Sequence, residues 1–178
     1  MSKPAQMFDH ELNPVKGWPS PYAVDKSLDL DGAKSANRGM VLSINNNGKF
    51  VVGLYCGAMP IFALQSSGDF DVRGDDGNLV GGANGSSHMS GLVAVGGLEV
   101  ESTEFDSTEI YLPNTKLTAG EPNAVDAGVI KPGTAYYDTI CGVVSEGIVN
   151  NEFKKNVLRF WPWFLPPLEC PVHSSEIA

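Results

Sequence analysis

Short apolar runs separated by turn residues form the main pattern of the chain. Clusters of Gly, Asn, Asp and Ser follow most of these runs. No stretch keeps a 3.6-residue period, and the 20 glycines and 12 prolines would interrupt long helices. The pattern predicts an all-β fold, a barrel or a sandwich, with long loops and at most one short helix.

The turn residues also predict which runs pair. The predicted strands are 40–44, 49–55, 60–65, 92–100, 109–112, 136–149 and 153–164. Asn47-Gly48 is a strong hairpin signal between the first two strands, and Asn150-Asn151 is expected to turn the sixth strand back into the seventh. Two stretches with little periodicity, 66–90 and 115–132, are predicted to be exposed loops.

The first 37 residues differ from the rest because prolines are frequent there. Pro4, Pro14, Pro19 and Pro21 fix φ and remove amide donors, which favours an extended arm. The arm either wraps its own domain as a strand-like leader or lies on another subunit, where its aromatic residues would be buried. The predicted organisation is an extended N-terminal arm at 1–37, a β domain at 38–168 and a C-terminal tail at 169–178.

Residues 159–167, RFWPWFLPP, hold two of the three tryptophans. The aromatic positions do not alternate cleanly, and Pro162 cannot donate to a strand ladder, which favours a strand edge, a bulge or a strand end. We expect 157–160 to close the β domain. Residues 161–167 are expected to pack at its rim, against the arm or a neighbouring subunit.

Charge and cysteine content exclude several classes of protein. The chain has 12 Lys and Arg and 21 Asp and Glu. The resulting net charge of −9 disfavours nucleic-acid binding. Cys56, Cys141 and Cys170 are widely separated and odd in number, which predicts reduced thiols, with Cys56 and Cys141 packed as small core residues in strands. No apolar stretch is long enough for a membrane span, and no secretion signal is evident.

Two acidic clusters are candidate chemical sites. Asp69 to Asn78 suggests calcium, but Arg73 and Val80 occupy positions where an EF-hand needs ligands, so a solvated loop is favoured. Glu99 and Glu101 are predicted to share one strand face, and are interpreted as its wet side in preference to a glycosidase pair. No nucleophile, phosphate-binding or dinucleotide motif is present. The chain is therefore predicted not to be an enzyme and to use no cofactor or metal.

The order of these features resembles the capsid decoration, or cement, proteins of tailed bacteriophages. The resemblance covers roughly 1–168: the proline-rich arm, RGMVLS at 38–43, KFVVG at 49–53, AYYDTICGVVS at 135–145 and the aromatic strand after it. It implies a β-rich protein, made in the host cytoplasm, that binds the outside of an assembled capsid and bridges major capsid proteins. It also implies contacts with neighbouring copies, as a dimer or trimer. The absence of a nucleic-acid or membrane partner is predicted from the charge and the apolar pattern alone.

The residues expected to contact these partners lie at both ends of the chain: Phe8, Leu12, Trp18, Tyr22, Trp161, Trp163 and Phe164. An alternative function is a carbohydrate- or receptor-binding β module of a virion fibre or tail, in which exposed aromatic rings would stack on sugars. A small glycoside hydrolase that uses the acids near 99–109 is a third hypothesis.

Overall fold

The computed structural model describes residues 12–16, 25–31, 35–64, 66, 88–93, 97–151 and 155–170. Within these ranges the chain forms eleven strands and no helix, so the all-β prediction is confirmed. The strands are β1 Leu12–Lys16, β2 Asp25–Asp29, β3 Val41–Ile44, β4 Phe50–Val52, β5 Ile61–Ala63, β6 His88–Val93, β7 Glu99–Ser102, β8 Lys116–Ala119, β9 Ile130–Pro132, β10 Ile140–Asn150 and β11 Asn156–Leu165. None of the described segments is a helix that could cross a membrane.

Two antiparallel sheets make the fold a β sandwich. The first sheet has six strands in the order β1-β7-β11-β10-β8-β9, and the second has five in the order β2-β6-β5-β3-β4. Apolar side chains from both sheets meet between them, where Phe62 of β5 and Phe160 of β11 place their ring centroids 5.4 Å apart. This shared core is what positions β11 within the molecule.

Strands β3 and β5 of the second sheet are buried on both faces. Val41 and Phe62 face the core between the sheets, whereas Leu42 and Ile61 belong to a second apolar cluster with Phe50. Because neighbouring residues on one strand point to opposite faces, this arrangement requires apolar residues at successive positions. It explains why Val41-Leu42 of β3 and Ile61-Phe62-Ala63 of β5 are consecutive apolar residues.

Two described segments of the predicted arm, Leu12–Lys16 and Asp25–Asp29, are strands within the protein's own sheets. β1 pairs with β7 and β2 pairs with β6. These two segments therefore agree with the alternative in which the arm packs on its own domain as a strand-like leader. The division of the chain into an arm, a domain and a tail stays a prediction.

Both predicted hairpins are present. Gly48 has φ +73° in the turn between β3 and β4, where the Asn45 amide donates to the Lys49 carbonyl at 2.9 Å. A residue without Cβ takes this left-handed conformation at little cost. β10 and β11 form the second, much longer hairpin.

Three strand and loop predictions are wrong. The run at 92–100 is not one strand: it contains the end of β6 and the start of β7, which lie in different sheets. Residues 109–112 form no strand, and Ile110 and Leu112 are exposed. The predicted loop at 115–132 contains β8 and β9, which pair with each other.

The prediction of three reduced thiols is also wrong. Cys56 lies in a turn after β4 and forms a disulfide with Cys170, with the two Cα atoms 5.8 Å apart. Cys141 is the buried free thiol of β10, as expected for a core position. The sequence separation of 114 residues hides the pairing, because spacing indicates a disulfide only when partners recur in a recognisable pattern.

Candidate interaction surface on strand β11

The second half of β11 carries exposed apolar side chains on one face. Trp161 and Trp163 are 43% and 51% exposed, and we call these two residues the β11 outer face; Leu165 is 38% exposed but follows a shift in register and pairs with the buried Ile140. Pro162, between the two tryptophans, is buried, and Phe164 packs against the core. The side chains therefore do alternate, contrary to the sequence interpretation, because Pro162 occupies an inward position that an aromatic pattern alone does not reveal.

Pairing with β10 fixes the orientation of this face. Trp161 is the register partner of Val143, and Val143 is in turn the partner of Lys116 on β8. Side chains of directly paired residues lie on the same side of a sheet. The indole of Trp161 thus stands in a row with a partly exposed valine and an exposed lysine.

One edge of the same segment has no partner among the described strands. β7 pairs with β11 at Leu158, Arg159 and Phe160, and its ladder with β11 ends there. Among the described strands, only β10 pairs with the segment that follows Phe160. Pro162 therefore lies beside an unpaired side of the ladder, in agreement with the edge position expected from its missing amide hydrogen.

An ionic cluster borders the β11 outer face at its start. The Arg159 guanidinium contacts Glu101 Oε2 through Nε at 3.3 Å and Glu146 Oε2 through Nη1 at 2.7 Å. Asn151 Nδ2 donates to the other oxygen of Glu101 at 3.3 Å. These contacts fix the Arg159 side chain against the sheet, two residues before Trp161.

The interpretation of Glu99 and Glu101 as the wet side of a strand is wrong. Both lie on β7 as predicted, but they are only 4% and 7% exposed. Both carboxylate oxygens of Glu101 accept bonds from neighbouring side chains. Such engagement is typical of a structural carboxylate, since a buried charge requires partners.

The predicted contact residues occupy different environments. Leu12 begins β1, opposite Ser102, whereas Phe8, Trp18 and Tyr22 lie outside the described residues. Trp161 and Trp163 are on the surface, and Phe164 points inward. Sequence reasoning did not single out Leu165, because its exposure follows a shift in the β10–β11 register that a local pattern does not reveal.

No group of His, Cys, Asp and Glu able to hold a metal ion occurs in the described ranges. The predicted loop around Asp69 to Asn78 lies outside them. No family model, curated protein or solved structure matches the chain. The β11 outer face is therefore the feature of the described residues that bears most directly on function.

Proposed function

We propose that this chain is a structural attachment protein that binds the outer surface of an assembled phage capsid through the β11 outer face. The supporting observation is that two tryptophans on one strand keep about half of their surface exposed. Exposed tryptophans on an ordered element are typical anchors of protein interfaces, because the ring buries a large area at low entropic cost. The capsid is the partner that the resemblance implies.

A repeating shell would make such a small surface sufficient. Two indoles offer a modest contact area, which by itself predicts weak binding. Many copies on a lattice, in contact with one another as dimers or trimers, would raise the effective affinity by orders of magnitude without a stronger individual site. Bridging neighbouring major capsid proteins would then stabilise the shell on its exterior.

Binding to particles tests this proposal. Fluorescently labelled full-length protein is mixed with tailed phage particles from a bacterial culture that carries the gene, and bound protein is measured by sedimentation. We expect saturable binding at a fixed number of copies per particle. The double variant Trp161→Ser, Trp163→Ser should lower occupancy at least tenfold, because the anchoring rings are removed.

A matched control changes exposed apolar residues elsewhere. Ile110 and Val125 lie in exposed turns, so Ile110→Ser with Val125→Ser removes surface apolar groups distant in sequence from β11. This control should bind as the parent does. The proposal would be contradicted if the tryptophan variant occupied phage particles as fully as the parent does. It would also be contradicted if the parent showed no saturable binding to any phage particle.

The same surface supports carbohydrate binding as a second candidate. Trp161 and Trp163 stand two residues apart on one strand face, about 7 Å along the strand, with charged Arg159 and Lys116 nearby. Indole rings stack on the apolar faces of sugars, while charged side chains can bond their hydroxyls. This function would be favoured if the protein bound specific sugars on a glycan array, lost that binding with Trp163→Ser, and did not bind phage particles.

A further inference from the structure

Three segments of the chain meet around the disulfide between Cys56 and Cys170. They are the turn after β4, the loop between β9 and β10, and the segment 166–170 that follows β11. Cys170 is exposed and Cys56 is partly exposed, so the bond can be reached from solvent. Solvent access is the first requirement for exchange with an external thiol.

The two sides of the disulfide are held unequally. The Cys56 side is fixed by the Thr139 hydroxyl, which accepts from the Gly57 amide at 2.6 Å and donates to the Tyr55 carbonyl at 3.2 Å. The Cys170 side has one backbone bond in the described structure, from the Glu169 amide to the Tyr136 carbonyl at 3.0 Å. Leu168 beside it is 77% exposed, so little apolar burial retains this segment.

The third cysteine, Cys141, cannot form a disulfide with Cys56 or Cys170 by exchange. Cys141 is fully buried in β10, and burial raises the pKa of its thiol to about 12. Only a thiolate attacks a disulfide, so a buried, protonated thiol does not exchange. The Cys56–Cys170 pair can therefore open and close without scrambling.

We propose that Cys56 and Cys170 form a redox clasp that fixes segment 166–170 beside the β9–β10 loop when closed and releases it when open. The clasp is open in a reducing cytosol and closes in an oxidising environment. This inference concerns the isolated chain and does not depend on capsid binding. The segment after β11 is held in the closed state and released in the open state, while the two sheets are the same in both.

The chemistry is ordinary thiol–disulfide exchange. A thiolate of an external dithiol attacks Cys170 Sγ, the S–S bond breaks, and Cys56 leaves as a thiolate. The second thiol of the reagent then resolves the mixed disulfide and releases Cys170, so the reagent is oxidised to a cyclic disulfide. Two electrons and two protons pass to the cysteine pair, and a small-molecule disulfide reverses the reaction.

Hydrogen exchange and proteolysis measure the two states. The full-length protein is studied with and without dithiothreitol, and thiols are counted in denaturant. We expect one free thiol in the oxidised protein and three after reduction. The amide of Glu169 should exchange at least tenfold faster after reduction, while the protection of β10 and β11 persists.

A glutamate-specific protease gives an independent readout at the bond between Glu169 and Cys170. Cleavage after Glu169 should accelerate at least fivefold on reduction, as measured by mass after the digest is quenched and fully reduced. Cleavage after Glu109, which lies in an exposed bend more than 50 residues from either cysteine of the clasp, should change little and serves as the internal control.

The variant Cys56→Ser separates loss of the clasp from other effects of the reagent. It should show rapid exchange at Glu169 in both conditions, with no response to dithiothreitol. Three free thiols in the air-oxidised parent would overturn the proposal, as would unchanged protection of Glu169 after reduction. Loss of protection throughout β10 and β11 on reduction would also overturn it, since the disulfide would then hold the whole fold.

Discussion

Single buried hydroxyl groups hold the irregular segment between β4 and β5. Ser43 is completely buried on β3, where its Oγ donates to the Gly53 carbonyl at 2.7 Å and accepts from the Tyr55 amide at 3.1 Å. These bonds satisfy backbone groups that no strand ladder reaches. Gly53 has φ +120°, and a Cβ there would approach the Pro122 nitrogen to 2.4 Å, so its lack of a side chain is also required. The turn that carries Cys56 thus depends on the hydroxyl of Ser43 and on the absence of a side chain at Gly53.

Removing the Ser43 hydroxyl should destabilise the protein measurably. Ser43→Ala leaves the Gly53 carbonyl and the Tyr55 amide without this partner, which should lower the free energy of unfolding by about 1–3 kcal/mol. Urea denaturation followed by circular dichroism measures the difference. The matched variant Ser107→Ala is at an exposed turn position and should change stability by less than about 0.5 kcal/mol. Equal effects at the two serines would contradict this account.

At the scale of elements, one side of β11 packs into the core and the other side is exposed. Phe160 is fully buried against Phe62, and the next residue, Trp161, is 43% exposed. Its partner β10 matches this division, since Val144 is buried opposite Phe160 and Val143 is partly exposed opposite Trp161. The hairpin therefore supports the outer face without requiring its tryptophans for folding.

The two sides of β11 should respond differently to truncation. Phe160→Ala should lower the free energy of unfolding by about 3–5 kcal/mol, because it creates a cavity between the sheets. Trp161→Ser or Trp163→Ser should cost about 1 kcal/mol or less, because each ring is already half in solvent. Chemical denaturation compares the three variants, and acrylamide should quench the fluorescence of the parent's exposed indoles. A tryptophan variant as unstable as Phe160→Ala would place that ring in the core.

Elements also show where local patterns failed. The segment 109–112 has strand-like composition, but its one buried side chain, Tyr111, is held by its hydroxyl, 2.9 Å from the Asp106 carbonyl oxygen and 3.1 Å from that of Ile130. These contacts fix a turn without a ladder. Residues 115–132 read as a loop because β8 and β9 are each short, and their strand character comes from pairing with each other. Composition does not reveal such pairings, since tertiary context overrides β propensity.

At the scale of the whole molecule, distant parts of the sequence complete each sheet. β7 lies between β1 and β11, and the disulfide joins positions 114 residues apart. Closing so large a loop restricts the unfolded chain far more than the folded one. The clasp should therefore stabilise the whole sandwich, even though opening it releases only a short segment of the native structure.

Reduction should lower stability without unfolding the protein. Dithiothreitol is expected to reduce the free energy of unfolding by about 2–4 kcal/mol, because the unfolded chain regains conformational freedom. Thermal and urea denaturation of the oxidised and reduced protein measure the change, with Cys56→Ser expected to match the reduced parent. An unchanged midpoint on reduction would contradict the predicted stabilisation.

The sequence by itself determined the all-β class, both hairpins and the surface character of Trp161 and Trp163. These depend on local chemistry: Asn-Gly turns, the scarcity of helical periodicity and a proline that cannot continue a ladder. Only the tertiary structure decided that Phe164 faces inward, that Glu99 and Glu101 are buried, and that Cys56 pairs with Cys170. Each of these depends on which distant strand or loop lies alongside, and strand register and the partner of a cysteine are set by contacts between residues far apart in the chain.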